Sequence, residues 1–133
     1  MQKKAVAVLR NANISPYKLR LVITLVRGKL VNECFDILSS TNKKASIIVA
    51  ATLKSAMSNA LHNYSMNPNA LYVSDIRVDE GMKIKRYKPA SRGSVRKLVS
   101  RRSHLTVTLA LVQKTNTNTK KNKAQDQNKK GGN

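Results

Sequence analysis

The chain has 133 residues, 41% of them hydrophobic, and carries 26 Lys and Arg against 6 Asp and Glu, a formal net charge of +20. That length fits one small domain with an extension, and the charge far exceeds what solubility requires, so the expected partner is a polyanion. No stretch reaches the apolar length of a spanning helix, no segment pairs an apolar face with a fully basic one, no signal-peptide run follows the N-terminal lysines, and Cys34 is alone, which argues against a membrane partner, secretion and an internal disulfide.

In residues 3–10, Val6 and Val8 alternate with Ala5, Ala7 and Leu9, which predicts a strand. Ser15-Pro16 then offers a cap and a proline at the first helical position, and Gly28 a stop, so a helix is expected over 16–27. Leu19, Val22, Ile23 and Val26 share one face of it; Tyr17, Arg20, Thr24 and Arg27 share another. Asn32 is the expected cap of a short second helix, with Glu33 and Asp36 near its positive end and Val31, Cys34, Phe35 and Leu38 at helical spacing. Thr41 or Asn42 is the expected cap of a third, where Ala45, Ile48, Val49, Thr52, Leu53, Ala56 and Ala60 recur at three- and four-residue steps up to about Asn63.

After Asn67-Pro68-Asn69, residues 71–78 are rich in β-branched and aromatic side chains, and Leu105, Val107, Leu109 and Leu111 alternate with Thr106, Thr108 and Ala110, so two further strands are expected. The fold class is therefore α+β: three helices packed on a small, mainly antiparallel three-stranded sheet. Residues 1–112 form a single domain in this reading. Residues 113–133, almost all Lys, Asn, Thr, Gln and Gly, form a disordered basic tail.

Charge concentrates in one place. Lys83, Lys85, Lys88, Lys97, Arg86, Arg92, Arg96, Arg101 and Arg102 flank a turn at Pro89-Ala90-Ser91-Arg92-Gly93, with no acid among them. If both limbs continue the neighbouring strands they form an extended β-hairpin arm over about 79–103, each limb of roughly ten residues reaching about 33 Å at about 3.3 Å per residue. With few large apolar groups, such a ribbon is marginal in water and needs an outside partner to order it. Phosphates serve, through counterion release and the forked hydrogen bonds of arginine.

Val78-Asp79-Glu80-Gly81, Lys85-Arg86, Pro89, Arg92-Gly93 and the run Arg101-Arg102-Ser103-His104-Leu105-Thr106-Val107 resemble the signature of the twenty-second large-subunit ribosomal protein family. Ile14-Ser15-Pro16, Lys18, Arg20-Leu21-Val22 and Arg27-Gly28-Lys29 are similar to its first helix. Asn42-Lys43-Lys44-Ala45, Lys54-Ser55-Ala56, Asn59-Ala60 and His62-Asn63 are similar to its third. The resemblance covers about residues 5–112; Tyr17, Ala90 and Ser94 stand where the family usually has arginine. It implies a structural constituent of the large ribosomal subunit that binds ribosomal RNA, with the hairpin tip (Lys88, Pro89, Ala90, Ser91, Arg92 and Gly93) lining the nascent-peptide exit tunnel. Expected RNA contacts are Lys18, Arg20, Arg27, Lys43 and Lys44 on the domain, and Lys83, Lys85, Arg86, Lys88, Arg92, Arg96, Lys97, Arg101 and Arg102 on the arm. Expected partners are large-subunit ribosomal RNA, neighbouring large-subunit ribosomal proteins and nascent peptide at the tip. The free chain is expected to be a monomer, and its site of action a ribosome in the bacterial cytoplasm or in an organelle.

Sharper chemistry finds little support. Asp79 and Glu80, adjacent in extended chain, point to opposite faces and read as a turn or bulge, not as paired catalytic carboxylates. His62, His104 and Cys34 lack zinc-ligand spacing, and no serine, base and orienting acid form a triad, so no catalytic residue, metal or cofactor is expected. Cys34 reads as core. His104 reads equally as a phosphate contact or a satisfied polar group at the sheet edge. Tyr17 and Tyr87 could stack on bases or pack on arginine stems. An architectural DNA binder with a basic β-arm is the alternative function, since such proteins extend similar arms with a proline near the tip; they normally act as dimers. An RNA-modifying enzyme is a third, lacking any cofactor motif or nucleophile.

Overall fold

A computed structural model describes residues 2–113, so the expected basic tail falls, but for Gln113, outside the described residues. The elements run β1 (Lys4–Ala12), α1 (Pro16–Val26), α2 (Val31–Ser40), α3 (Lys44–Tyr64), β2 (Leu71–Pro89) and β3 (Val95–Leu111), with short 3-10 turns at Pro68–Ala70 and Ser91–Gly93. β3 lies between β1 and β2 and is antiparallel to both. The three helices and the antiparallel sheet are those expected from the periodicities.

Local chemistry accounts for most boundaries. Pro16 opens α1 behind an extended Ser15, although the Ser15 hydroxyl makes no capping bond. Gly28, at φ +76, turns the chain out of the helix, and its amide reaches Val73 O at 3.2 Å while Val73 N reaches Lys29 O at 3.0 Å. This pair of bonds pins the end of α1 to the edge of β2.

The expected caps of α2 and α3 are corrected. Leu30, not Asn32, occupies the N-cap of α2; Asn32 lies within the helix, its amide reaching Asn69 Oδ1 at 3.4 Å. Lys43, not Thr41 or Asn42, is the N-cap of α3. The Thr41 hydroxyl instead donates to Ile37 O at 2.8 Å, closing the end of the preceding helix.

One face of the sheet carries the core. Ala5 and Ala7 of β1, Val73, Ile76 and Val78 of β2, and Leu105, Val107 and Leu109 of β3 are buried against Leu19 and Val26 of α1 and Val49, Leu53, Ala56 and Ala60 of α3. Alanines on both β1 and α3 let helix and strand approach closely, while the bulkier Val6 and Val8 face outward, 47% and 52% exposed. Register places Ala7 beside Val107 and Val107 beside Ile76, so the two-residue alternation puts every buried strand residue on the helix side.

β2 and β3 do not stop where the core ends. Between Glu80 and Lys83 the register shifts by a bulge, the reading expected for Asp79-Glu80, and pairing then resumes from Lys83↔Arg101 to Pro89↔Val95. Gly81 sits in the bulge with the Arg102–Ser103 backbone against it: a Cβ there would lie 2.9 Å from the carbonyl carbon and oxygen of Arg102. From Glu80 to Pro89 the ribbon extends about 30 Å at about 3.3 Å per residue. Its loop is closed by Ala90 N to Ser94 O at 2.8 Å, and Arg92 and Gly93 adopt left-handed φ of 58° and 69°.

Candidate nucleic-acid interface

The arm presents cations on both sides. Cross-strand partners share a face and successive residues alternate. Lys83↔Arg101, Lys85↔Val99, Tyr87↔Lys97 and Pro89↔Val95 therefore form the face continuous with the helix-covered side of the sheet, and Ile84↔Ser100, Arg86↔Leu98 and Lys88↔Arg96 the other. The first face holds four basic side chains and the second three, with Arg92 at the tip and Arg102, half-buried, at the root. The apolar groups between them are open: Tyr87 is 72% exposed, Val95 63% and Leu98 55%. A ribbon with water-facing apolar side chains and unneutralised charge on both faces is built to be surrounded, not to lie flat on a surface.

At the root, residues distant in sequence converge. Lys18 of α1 and Lys44 of α3 line one recess with Val99 and Arg101 of β3, while Arg20 lines another with Tyr17, Glu80 and Arg101. A third, of about 370 Å³, has Ile14, Leu21, Val22 and Ala45 as its floor and Lys18, Lys43 and Lys44 around it. Lys18, Arg20, Lys43, Lys44 and Arg101 thus form one basic surface leading onto the arm. Among the described residues the only ion pair is Arg77 Nε to Asp79 Oδ2, at 3.9 Å on the surface. Almost all the positive charge is left for an external anion.

Two expected contacts have a second use. Arg20 donates to Val78 O at 3.2 Å and Arg27 to Ile76 O at 2.8 Å, so both guanidinium groups satisfy carbonyls on the outer edge of β2. They fasten α1 to the strand and blunt an edge that could otherwise pair with another chain. Arg27, at the far end of α1, does not join the cluster at the root. Arg77, which the sequence reading passed over, stands exposed on the open face of the sheet beside Thr106; strand alternation and charge were the signal for it.

Other side chains resolve into structural roles. The Ser103 hydroxyl is buried and donates to Ile14 O at 3.0 Å, tying β3 to the segment after β1. His104 Nδ1 accepts the Asn11 amide at 3.1 Å, which places the proton of the neutral ring on Nε2 and makes His104 a partnered group at the sheet edge. Cys34 is fully buried, its thiol donating to Val26 O at 3.4 Å, and burial, with Glu33 adding to it, pushes the thiol pKa up to about 11. No helix of the structure is long and apolar enough to cross a membrane.

The family model described as Ribosomal protein L22p/L17e matches residues 7–110, a span that runs from β1 through the helices and the whole arm into the last turn of β3 pairing. The chain therefore belongs to the L22p/L17e family of ribosomal proteins, structural proteins of the large ribosomal subunit.

Proposed function

We propose that this chain binds large-subunit ribosomal RNA, with the basic surface at the root of the arm seated on the RNA and the arm inserted into it. The observation that carries this reading is the distribution of charge on the ribbon: seven cations split over two opposite faces, and no carboxylate between Gly81 and Gln113. Anion on one side alone would leave half of them unneutralised, whereas folded RNA supplies phosphate around an inserted strand pair. Family membership favours RNA over the architectural DNA alternative.

The tip, Lys88 to Gly93, reaches the nascent-peptide exit tunnel in this reading, as the resemblance implies, and the remaining contacts are with neighbouring large-subunit proteins. The free chain is a monomer, and the protein works in a ribosome, bacterial or organellar. The test is incorporation. Tagged full-length chain is expressed beside a variant in which residues 85–97 are replaced by a short turn, and lysates are sedimented. Both should travel with the large subunit, the variant more weakly, and nascent-peptide stalling should change only with the variant. Full-length chain remaining at the top of the gradient would overturn the proposal.

A further inference from the structure

We propose that the N-terminus of α3 is a phosphate subsite for RNA, in which Ser46 is the hydroxyl donor; this rests on the RNA-binding reading above. Ser46 is 2% exposed, and its Oγ is the one buried side-chain polar atom among the described residues that has no hydrogen-bond partner. A buried hydroxyl without a partner is costly, and a helical serine usually relieves the cost by bonding back to the preceding turn. Ser39, Ser40 and Thr52 all do so, at 2.8–2.9 Å. Ser46 does not.

Its surroundings suit an anion. Ser46 lines a recess of about 640 Å³ between the end of α2 and the start of α3, together with Thr41, Asn42 and Lys43 and with Phe35 and Leu38 behind. α3 is 21 residues long, has no side-chain cap and no acid in its first turn. It begins instead with Lys43 and Lys44, whose positive charges oppose the positive end of the helix dipole. α2, by contrast, has Glu33 in that position. Lys44 is turned to Asn13 O at 2.8 Å, leaving Lys43 as the ammonium beside the recess. A phosphodiester at the mouth would accept from Ser46 Oγ and from the free amides of the first turn, and would neutralise the lysines. A protein carboxylate would satisfy the same donors, but the basic surface continuing to Lys18 and Arg101 favours a polyphosphate chain over an isolated acid.

The test uses full-length chain and Ser46→Ala. Inorganic phosphate is titrated at constant ionic strength, with amide shifts as the readout; thermal unfolding is recorded, and affinity for large-subunit ribosomal RNA is measured beside an arm variant, Lys85→Gln with Lys97→Gln. The native chain should show saturable shifts at Lys44, Ala45 and Ser46, and Ser46→Ala should weaken phosphate binding by about tenfold. The same variant should melt no lower than the native chain, because it loses an unsatisfied buried hydroxyl. It should also bind RNA more weakly with an unchanged salt slope, since no charge is removed. Absence of saturable shifts, or a Ser46→Ala protein that melts lower, would overturn the subsite. RNA affinity unchanged in Ser46→Ala but reduced in the arm variant would also overturn it while leaving the RNA-binding reading intact. Loss of subunit incorporation without loss of RNA affinity would assign the recess to a protein partner and equally reject the phosphate. A native chain that takes phosphate but not RNA would reject the functional reading instead.

Discussion

Replacing Gly81 by Ala probes the point where the arm leaves the core. The new methyl carbon would lie 2.9 Å from both the carbonyl carbon and the oxygen of Arg102 and 3.1 Å from the amide nitrogen of Ser103. Ordinary carbon contacts are about 3.5–4.0 Å, so the two strands must part by about 0.5 Å or more. These are backbone atoms held by pairing at Glu80↔Ser103 and Lys83↔Arg101, and no flexible side chain can absorb the shift. Overpacking of this kind costs about 1–3 kcal/mol. At about 4 °C per kcal/mol for a domain near this size, the melting midpoint should fall by about 4–12 °C. The assay is thermal unfolding of full-length chain by circular dichroism, with Gly93→Ala as the comparison. Gly93 has open space around a putative Cβ position but a φ of +69°, and it sits at the tip, far from the core, so its replacement should leave the midpoint nearly unchanged. A Gly81→Ala protein melting like the native chain would refute the close-approach reasoning.

Amide exchange on the free protein should show rapid exchange across residues 83–101 and strong protection across residues 45–60, because the ribbon is exposed and self-repelling while α3 packs on the core; protection of the arm without RNA would contradict partner-induced ordering. Arg20→Ala and Arg27→Ala should each lower stability by about 1 kcal/mol in urea unfolding by freeing a β2 carbonyl, and two variants as stable as the native chain would remove their role as edge fasteners. Cys34 has a folded-state pKa of about 11 against an ordinary 9.0, so its neutral form is favoured by folding. That contribution is present below about pH 9 and is lost as pH rises toward 11, so stability should fall across that window less steeply in Cys34→Ala; identical slopes would show the thiol to be uninvolved.

The sheet and α1 were legible because their signals are local and redundant. Leu105 to Leu111 alternates without interruption, and Ser15-Pro16 and Gly28 bracket four apolar residues that all prove buried. The caps of α2 and α3 were misread because a polar residue between two helices can serve either one: Thr41 bonds back to Ile37 and leaves Lys43 to begin α3. The arm was legible as charge around a turn. Its two faces were not, because their composition depends on the bulge at Gly81, which resets the register by backbone contact that no periodicity encodes. The cluster of Lys18, Lys44 and Arg101 spans most of the chain and needs the tertiary fold to bring it together. Arg20 and Arg27 looked like phosphate ligands since charge was the only available signal, while their carbonyl partners on β2 lie about fifty residues away in sequence.

The central claim, that RNA surrounds the arm, is tested most directly by neutralising one face at a time and measuring affinity for large-subunit ribosomal RNA over a range of salt concentrations. One variant changes Lys83, Lys85, Lys97 and Arg101 to Gln; the other changes Arg86, Lys88 and Arg96. With a slope contribution of about 0.7–0.9 per contacted phosphate, the first should flatten the log–log dependence by about 3 and the second by about 2. A full loss of slope in one variant with none in the other would mean that the ribbon lies against the RNA on a single side, and would contradict insertion.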